Sequence, residues 1–433
     1  MKIKKSAGGT TLILSLVTLF AGWHADAQSF ALSSSPQTGI GPLCVAAIDV
    51  NGDGKPDLIS ADSGGNTLTV LTNNGDGTFT FCSMASVGNQ PSWVTAADLN
   101  NDSHVELICA DQNDNNVIVL TNDGTGIFTG STTNAVGGNP DCVITSDVNG
   151  DGKLDLITAN VADSTLTILT NNGDGTFTVA ATNKVGLYPF NVVAADINGD
   201  GHPDLISADA GTDTLTVLTN DGTGNFVLSS KELVGRSPSV AVADINSDGK
   251  PDLIAANEND DNVTVLTNNG DGTFTFSDTY GTGHSPYYLT AADVNGDGKL
   301  DLVIVNEGEN NLTILANTGN GTFVDSGTVS AGDSPVFVTA ADVNNDGSPD
   351  LITANQSDST FSVLFNLALP LINIRPQNAN NLLLYWTGYW PGYVLQQASN
   401  LGTGGWADVS NPSGTNQIIV PATGNQFFRL RHP

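Results

Sequence analysis

The sequence predicts an all-β chain: a seven-bladed β-propeller closed by its own N-terminal strand, followed by a small C-terminal β-sandwich. Three observations predict it. The text Asp49-Val-Asn-Gly-Asp-Gly-Lys-Pro-Asp57-Leu-Ile returns with its first aspartate at Asp49, Asp98, Asp147, Asp196, Asp244, Asp293 and Asp342, every 48 or 49 residues. Each unit reads as four short strands with no helical period, and repeats of that length and content describe propeller blades. The two ends of the array complement each other. The seventh unit stops after its third strand, at 360–365, while residues 29–33 stand where a fourth strand belongs, just ahead of the first unit. An open solenoid has no use for that arrangement.

Residues 1–27 precede the array. Lys2, Lys4 and Lys5 lie before an apolar run at 12–21, and Ala25-Asp26-Ala27 follows. A basic start, a short apolar stretch and a small-x-small site predict an export signal cut after Ala27. The run is too short to span a bilayer. Gln28 follows the cut rather than a cysteine, which argues against a lipid anchor. The expected product is secreted or displayed at the cell surface.

The first unit sets the pattern. Strand A is expected at 44–48, B at 58–61, C at 67–72 and D at 78–83. C alternates Leu68 and Val70 with Thr67 and Thr69, the period of a half-buried strand. The turn at 73–77 is Asn-Asn-Gly-Asp-Gly, a hairpin signal. A proline stands seven residues before each first aspartate, and six before it in the fifth copy: Pro42, Pro91, Pro140, Pro189, Pro238, Pro286 and Pro335. Three residues before each proline is a glycine, Gly39 in the first unit. Strand direction then puts the A–B loops and C–D turns on one face, and the D–A connections and B–C loops on the other. The propeller is assigned to 28–366. Residues 367–433 lack the loop text and hold Trp386, Trp390 and Trp406. Strands at 382–386, 393–397, 417–420 and 427–430 predict the sandwich there.

Within each A–B loop, oxygen-bearing side chains occupy positions one, three, five and nine, and position six is usually glycine. Hard oxygen donors at alternate positions of a tight loop suit Ca²⁺. An EF-hand would also need a glutamate at position twelve and flanking helices. Position twelve here is Ser60, and the flanks are strands.

These residues, Asp-x-Asn-x-Asp-Gly-x-x-Asp-Leu with Gly-x-x-Pro upstream, resemble the FG-GAP/VCBS repeats that build integrin α-subunit propellers and many secreted bacterial propellers. The resemblance covers residues 29–366. It implies up to seven Ca²⁺ ions, each held by four side chains and the carbonyl at position seven. The implied sets are Asp49, Asn51, Asp53 and Asp57; Asp98, Asn100, Asp102 and Glu106; Asp147, Asn149, Asp151 and Asp155; Asp196, Asn198, Asp200 and Asp204; Asp244, Asn246, Asp248 and Asp252; Asp293, Asn295, Asp297 and Asp301; and Asp342, Asn344, Asp346 and Asp350. The second loop departs from the pattern, with Ser103 for glycine and Glu106 for aspartate. The role expected of the metal is structural. The C-terminal segment, with Leu384-Tyr-Trp, Gly392-Tyr-Val-Leu-Gln and Phe427-Phe-Arg-Leu, is similar to C-terminal modules of secreted proteins from Verrucomicrobia-like bacteria.

The net charge of −32, or −34 once three lysines and Asp26 leave with the signal, makes nucleic acid and anionic membranes poor partners. The four cysteines, Cys44, Cys82, Cys109 and Cys142, all fall in predicted strands. Either disulfides or buried free thiols fit that placement. No Ser/His/Asp set, HExxH or phosphate loop is present. His104 and His202 stand at loop position seven, and His284 lies beside Gly283 on the D–A face. That face also carries Trp93, Tyr188, Phe190, Tyr287, Tyr288 and Phe337, together with acidic B–C loops. Core packing between blades and ligand binding are both open to these aromatics. The function expected is a non-catalytic binding or adhesion module for a protein or glycan. The alternative is a carbohydrate-active enzyme resembling polysaccharide lyases, with His284 or the Tyr287-Tyr288 pair as base. A third possibility makes the chain one surface component that docks through its C-terminal domain.

Overall fold

The structure, a computed structural model, describes residues 29–367 and eight short strands outside them. Seven four-stranded antiparallel sheets follow one another along the chain. In the first blade the strands are Pro42–Ile48 (A), Asp57–Asp62 (B), Thr67–Asn73 (C) and Phe79–Ser86 (D). Strand A starts two residues earlier than expected, B gains one residue at each end, C gains one at its end, and D starts one residue later and ends three later.

The seventh blade takes its outer strand from the N-terminus. Phe30–Ser34 pairs with Thr360–Asn366. Its register repeats that of the other blades: Phe30 faces Asn366 as Phe79 faces Asn73. Phe30 also packs against a core cluster that holds Val294, Val338 and Leu364. A phenylalanine opens every outer strand, and the N-terminal strand supplies the one that blade seven lacks.

Strand B is buried along its whole length in every blade, as in Asp155–Asn160. Alternate side chains point to opposite faces. Leu156 accordingly packs with Leu99, Ile108 and Val119 of the blade before, and Ile157 with Val192, Leu205 and Leu218 of the blade after. Each such side chain contributes about 2 kcal/mol by leaving water. The outer D strands are edges. They are Thr- and Ser-rich, largely exposed, and bulged against strand C, as between Val70 and Leu71, which blunts an edge against pairing with other chains.

Buried asparagines stitch blade to blade. Asn73, the last residue of strand C, donates from Nδ2 to Val343 O at 2.9 Å in blade seven and to Pro56 O at 3.0 Å in its own loop. Asn122, Asn171, Asn220, Asn268, Asn317 and Asn366 make the same bond to the preceding blade at 2.7–2.9 Å. On the opposite face, the N–H just before the proline is held by a side chain from the preceding blade's B–C loop, as in Gln90 to Asn66 Oδ1 at 3.0 Å. Gly41 to Ser359 Oγ at 3.2 Å closes the ring in the same way. The glycine three residues before the proline is required by close approach. A Cβ on Gly137 would stand 2.7 Å from the Asn160 side chain.

The C-terminal segment forms two three-stranded sheets. One joins Asn373–Asn378, Asn381–Tyr385 and Gln417–Pro421, and the other joins Ala407–Asp408, Val394–Ala398 and Phe427–Arg431. Four of these strands match expectation within two residues at either end. The packing of the two sheets, which the sandwich reading requires, lies outside the described residues. Of the expected signal, Lys2–Lys5 and Leu12–Ser15 are described, as a two-stranded ladder. The cleavage site lies outside the described residues. No described helix is long and apolar enough to cross a membrane.

Candidate functional site

The two faces divide as strand direction requires. On one, each A–B loop meets its own C–D turn: a Cβ on Gly75 would touch the Lys55 side chain. On the other, D–A and B–C segments bond to one another, as Ser63 N–H does to Gly41 O at 3.0 Å.

The A–B loops are folded around their first aspartate. Asp49 Oδ1 accepts from Gly52 N–H at 2.7 Å, and Oδ2 accepts from Gly54 N–H at 2.7 Å. Asn51 and Asp53 each cap the N–H two residues on. Positive φ at Gly52 (75°) and Gly54 (82°) allows the turn. In loop two Asn101 and Ser103 adopt φ of 60° and 71° instead, a conformation that strains side-chain-bearing residues.

Position nine has a task the sequence did not suggest. Asp57 is fully buried. Its Oδ2 accepts from Val50 N–H at 3.1 Å and its Oδ1 from Asn73 N–H at 2.8 Å. Asp155, Asp204, Asp252 and Asp301 do the same in their own blades. Glu106 bonds Leu99 N–H with Oε2 and turns Oε1 to the Asn100 amide. Burial raises the Asp57 carboxyl above its ordinary range. The N–H bonds from Asn73 and Val50 oppose the rise, and the charges on Asp53 and Asp49 add to it. Asp301 is pushed up to about 6 by the same causes.

Among the described residues, no three Asp, Glu, His or Cys side chains converge as a ready cation cage. The donor chemistry nonetheless fits Ca²⁺. Each loop gathers hard oxygens whose charges repel, and a carboxylate oxygen that accepts one N–H keeps a second lone pair. A local cation already sits in several loops. Lys55, Lys153 and Lys299, all at position seven, pair with Asp53, Asp151 and Asp297 at 3.0–3.3 Å.

The centre of the other face is built by β-bulges. In six blades the register of strand A against strand B shifts just after the proline, which frees the following residue: Leu43, Ser92, Asp141, Phe190, Tyr287 and Val336. Bulges re-aim side chains. All six line one small recess of about 30 Å³. Blade five is one residue short. Its strand pairs without a shift, and it adds nothing to the rim. There Asn191 supplies what the neighbouring strand lacks, exchanging two hydrogen bonds with the Val240 backbone at 2.9 and 3.0 Å.

Beneath the rim, aromatics plug the axis. Tyr288 stacks on Phe337 with centroids 4.2 Å apart, and Trp93 meets both edge-on at 5.7 and 5.1 Å. Phe190 and Tyr287 form an edge-to-face pair at 5.2 Å in the rim. The aromatics of this face therefore serve two layers, a floor and a wall, while Tyr188 stands exposed on its loop. Asp141 is the one charged residue among the described residues of the lining. Burial pushes its carboxyl up to about 7, and a hydrogen bond from the Gln112 amide pulls the other way.

All four cysteines are free. Cys44 and Cys142 donate weakly to the next blade's inner strand, at Val94 O and Val192 O. Burial pushes the Cys44 thiol up to about 12. His284 lies exposed in the D–A connection before Pro286, its Nδ1 2.8 Å from Asp261 Oδ2 and its Nε2 3.8 Å from Glu309 Oε1. The hydrogen bond to Asp261, then the charges of Asp261 and Glu309, raise its pKa.

A closed seven-bladed propeller with one aspartate-rich loop per blade defines the class. The model of the FG-GAP-like repeat matches at residues 49–109, 98–158, 147–207, 196–255, 244–304 and 293–353. The chain belongs to the FG-GAP repeat family. No curated protein sequence matches it significantly. Its fold is similar to that of BBS1N, solved in complex with ARL6DN (13% identity, 81% of this chain and 98% of that one, TM-score 0.57). It is also similar to a streptogramin B lyase (15%, 79% and 99%, 0.54) and to a catalytically inactive virginiamycin B lyase from Staphylococcus aureus with quinupristin (16%, 78% and 99%, 0.50). At these identities the likeness is one of fold.

Proposed function

We propose that the chain is an exported, Ca²⁺-stabilised binding module without catalytic activity, which holds a protein or glycan partner on its D–A/B–C face. One observation carries the reading: the ring segregates its repetitive loops to one face and its divergent side chains to the other. A rigid scaffold that varies only one set of loops is the usual arrangement of a binding surface. In each metal loop the four side chains and the position-seven carbonyl would hold the ion. The ion would supply charge neutralisation among three carboxylates. The complex of BBS1N with ARL6DN supports protein binding by a propeller of this shape.

The lyase-like propellers keep the enzyme reading in play. Its candidate bases are poorly suited to that task. His284 is held toward its protonated form by two carboxylates. Burial raises the hydroxyls of Tyr287 and Tyr288 well above the ordinary tyrosine range, and Tyr288 belongs to the axial plug. The test is a glycan array and a surface pull-down with the full chain, with and without chelator. Saturable binding lost on substituting face residues supports the reading. Turnover of uronic-acid polysaccharides that depends on His284 would overturn it.

A further inference from the structure

We propose that the recess at the axial mouth is a binding site for a small organic cation, an ammonium or guanidinium group, paired by Asp141 and flanked by Phe190 and Tyr287. The proposal deepens the binding-module reading and rests on its choice of face.

The rim is a built feature. Six bulges, each placing one extra residue directly after the recurring proline of the repeat, turn their side chains into one recess. A strand that needed only to pair would pair without a bulge, as blade five does. The aromatic floor of Trp93, Tyr288 and Phe337 seals the recess from below.

The lining selects the ligand class. Among the described residues it contains one carboxylate and no lysine, arginine or histidine. Among the described residues, the side-chain hydrogen bond to Asp141 comes from the Gln112 amide alone, and no cationic side chain of the lining balances it. A divalent metal would want six or more oxygen donors, and the recess offers too few. Ser92 already donates to Pro140 O at 3.1 Å. A sugar would leave most of its hydroxyls unmatched against Leu43, Val336 and Phe190, and unmatched polar groups are costly when buried. A cation with an apolar edge satisfies all three features: it pairs with the carboxylate, lies against aromatic rings, and is drawn by a chain of net charge −32.

The experiment is isothermal titration of the full chain at pH 8, where the Asp141 carboxyl is ionised, in Ca²⁺, with three probes: N-methylguanidinium as a free cation, acetyl-arginine amide as the side chain of a protein partner, and methyl β-glucoside as a neutral control. One or both cations should bind saturably, and Asp141→Asn should weaken them at least about tenfold. Preference between the two cations tells a free small molecule from a partner's side chain. No saturable heat from either cation on the wild-type chain, equal affinity in Asp141→Asn, or binding of the glucoside alone would overturn the proposal. The wild-type titration decides even if a variant fails to fold. Partner capture on the array without cation binding would leave the binding-module reading standing and remove this site.

Discussion

Replacing Asn73 by alanine tests whether the ring is closed. Asn73 belongs to blade one, and its amide donates to Val343 O in blade seven at 2.9 Å and to Pro56 O at 3.0 Å. Alanine leaves both carbonyls without a donor. The bond to Val343 is buried and that to Pro56 partly so, so the loss should be about 2–4 kcal/mol. A propeller of some 340 residues has an unfolding entropy of about 0.7 kcal/mol per degree. The melting temperature should therefore fall by about 3–6 °C. Differential scanning calorimetry in saturating Ca²⁺ reads it. Asn220→Ala is the internal control, because its amide makes the equivalent bonds, to Val148 O of blade three and to Pro203 O in its own blade four. Closure requires the two shifts to match. If Asn220→Ala shifts the transition as expected and Asn73→Ala moves it by less than about 1 °C, blades one and seven do not meet and the ring is open.

Chelation with EGTA should lower the melting temperature strongly. Each site filled at ten times its dissociation constant adds about 1.4 kcal/mol, so seven would add about 10; an unchanged transition after exhaustive chelation refutes the structural metal. Gly137→Ala should destabilise by about 1–3 kcal/mol, since its Cβ would meet Asn160 at 2.7 Å. Gly281→Ala, with nothing within 4 Å of its Cβ, should be neutral or slightly stabilising in urea titrations. Asp141 should make stability depend on pH. Its carboxyl titrates near 7 in the fold and near 3.9 unfolded. The unfolded state therefore sheds its proton first, and the fold loses stability as pH rises from about 4 to about 7. Asp141→Asn should be more stable than wild type at pH 8 by up to about 4 kcal/mol, an upper bound because the recess admits water, with the difference vanishing below pH 4. A constant difference across that range would refute the assignment. Thiol titration of the native protein should find Cys44, Cys109 and Cys142 unreactive until unfolding. Prompt labelling of any of the three would contradict their burial.

The architecture was legible because repetition carries it. Even spacing, the Gly-x-x-Pro text and the displaced outer strand point to one closed ring, and Phe30 takes the register they imply. The aspartate-rich loops were legible as a repeat, but the buried duty of Asp57 was not. A residue that bonds two backbone N–H groups looks in sequence like any other ligand-spaced aspartate. The asparagine stitches were in plain view as the recurring Asn73, Asn122 and Asn171. They read as turn residues because their partners lie about 72 positions away in the interior blades. The bulges leave no trace in spacing when six copies share them. Only the short fifth copy marked them, by lacking one residue.

The outer strand of blade seven imposes an order on synthesis. Phe30 is made near the beginning of the ring and finds Asn366 only when the last blade exists. Until then that blade presents an unpaired edge, and non-local pairings of this span are slow to form and open to aggregation. Assembly must therefore finish where it started. A chain stalled or clipped before residue 360 would hold six complete blades and no means of joining their ends.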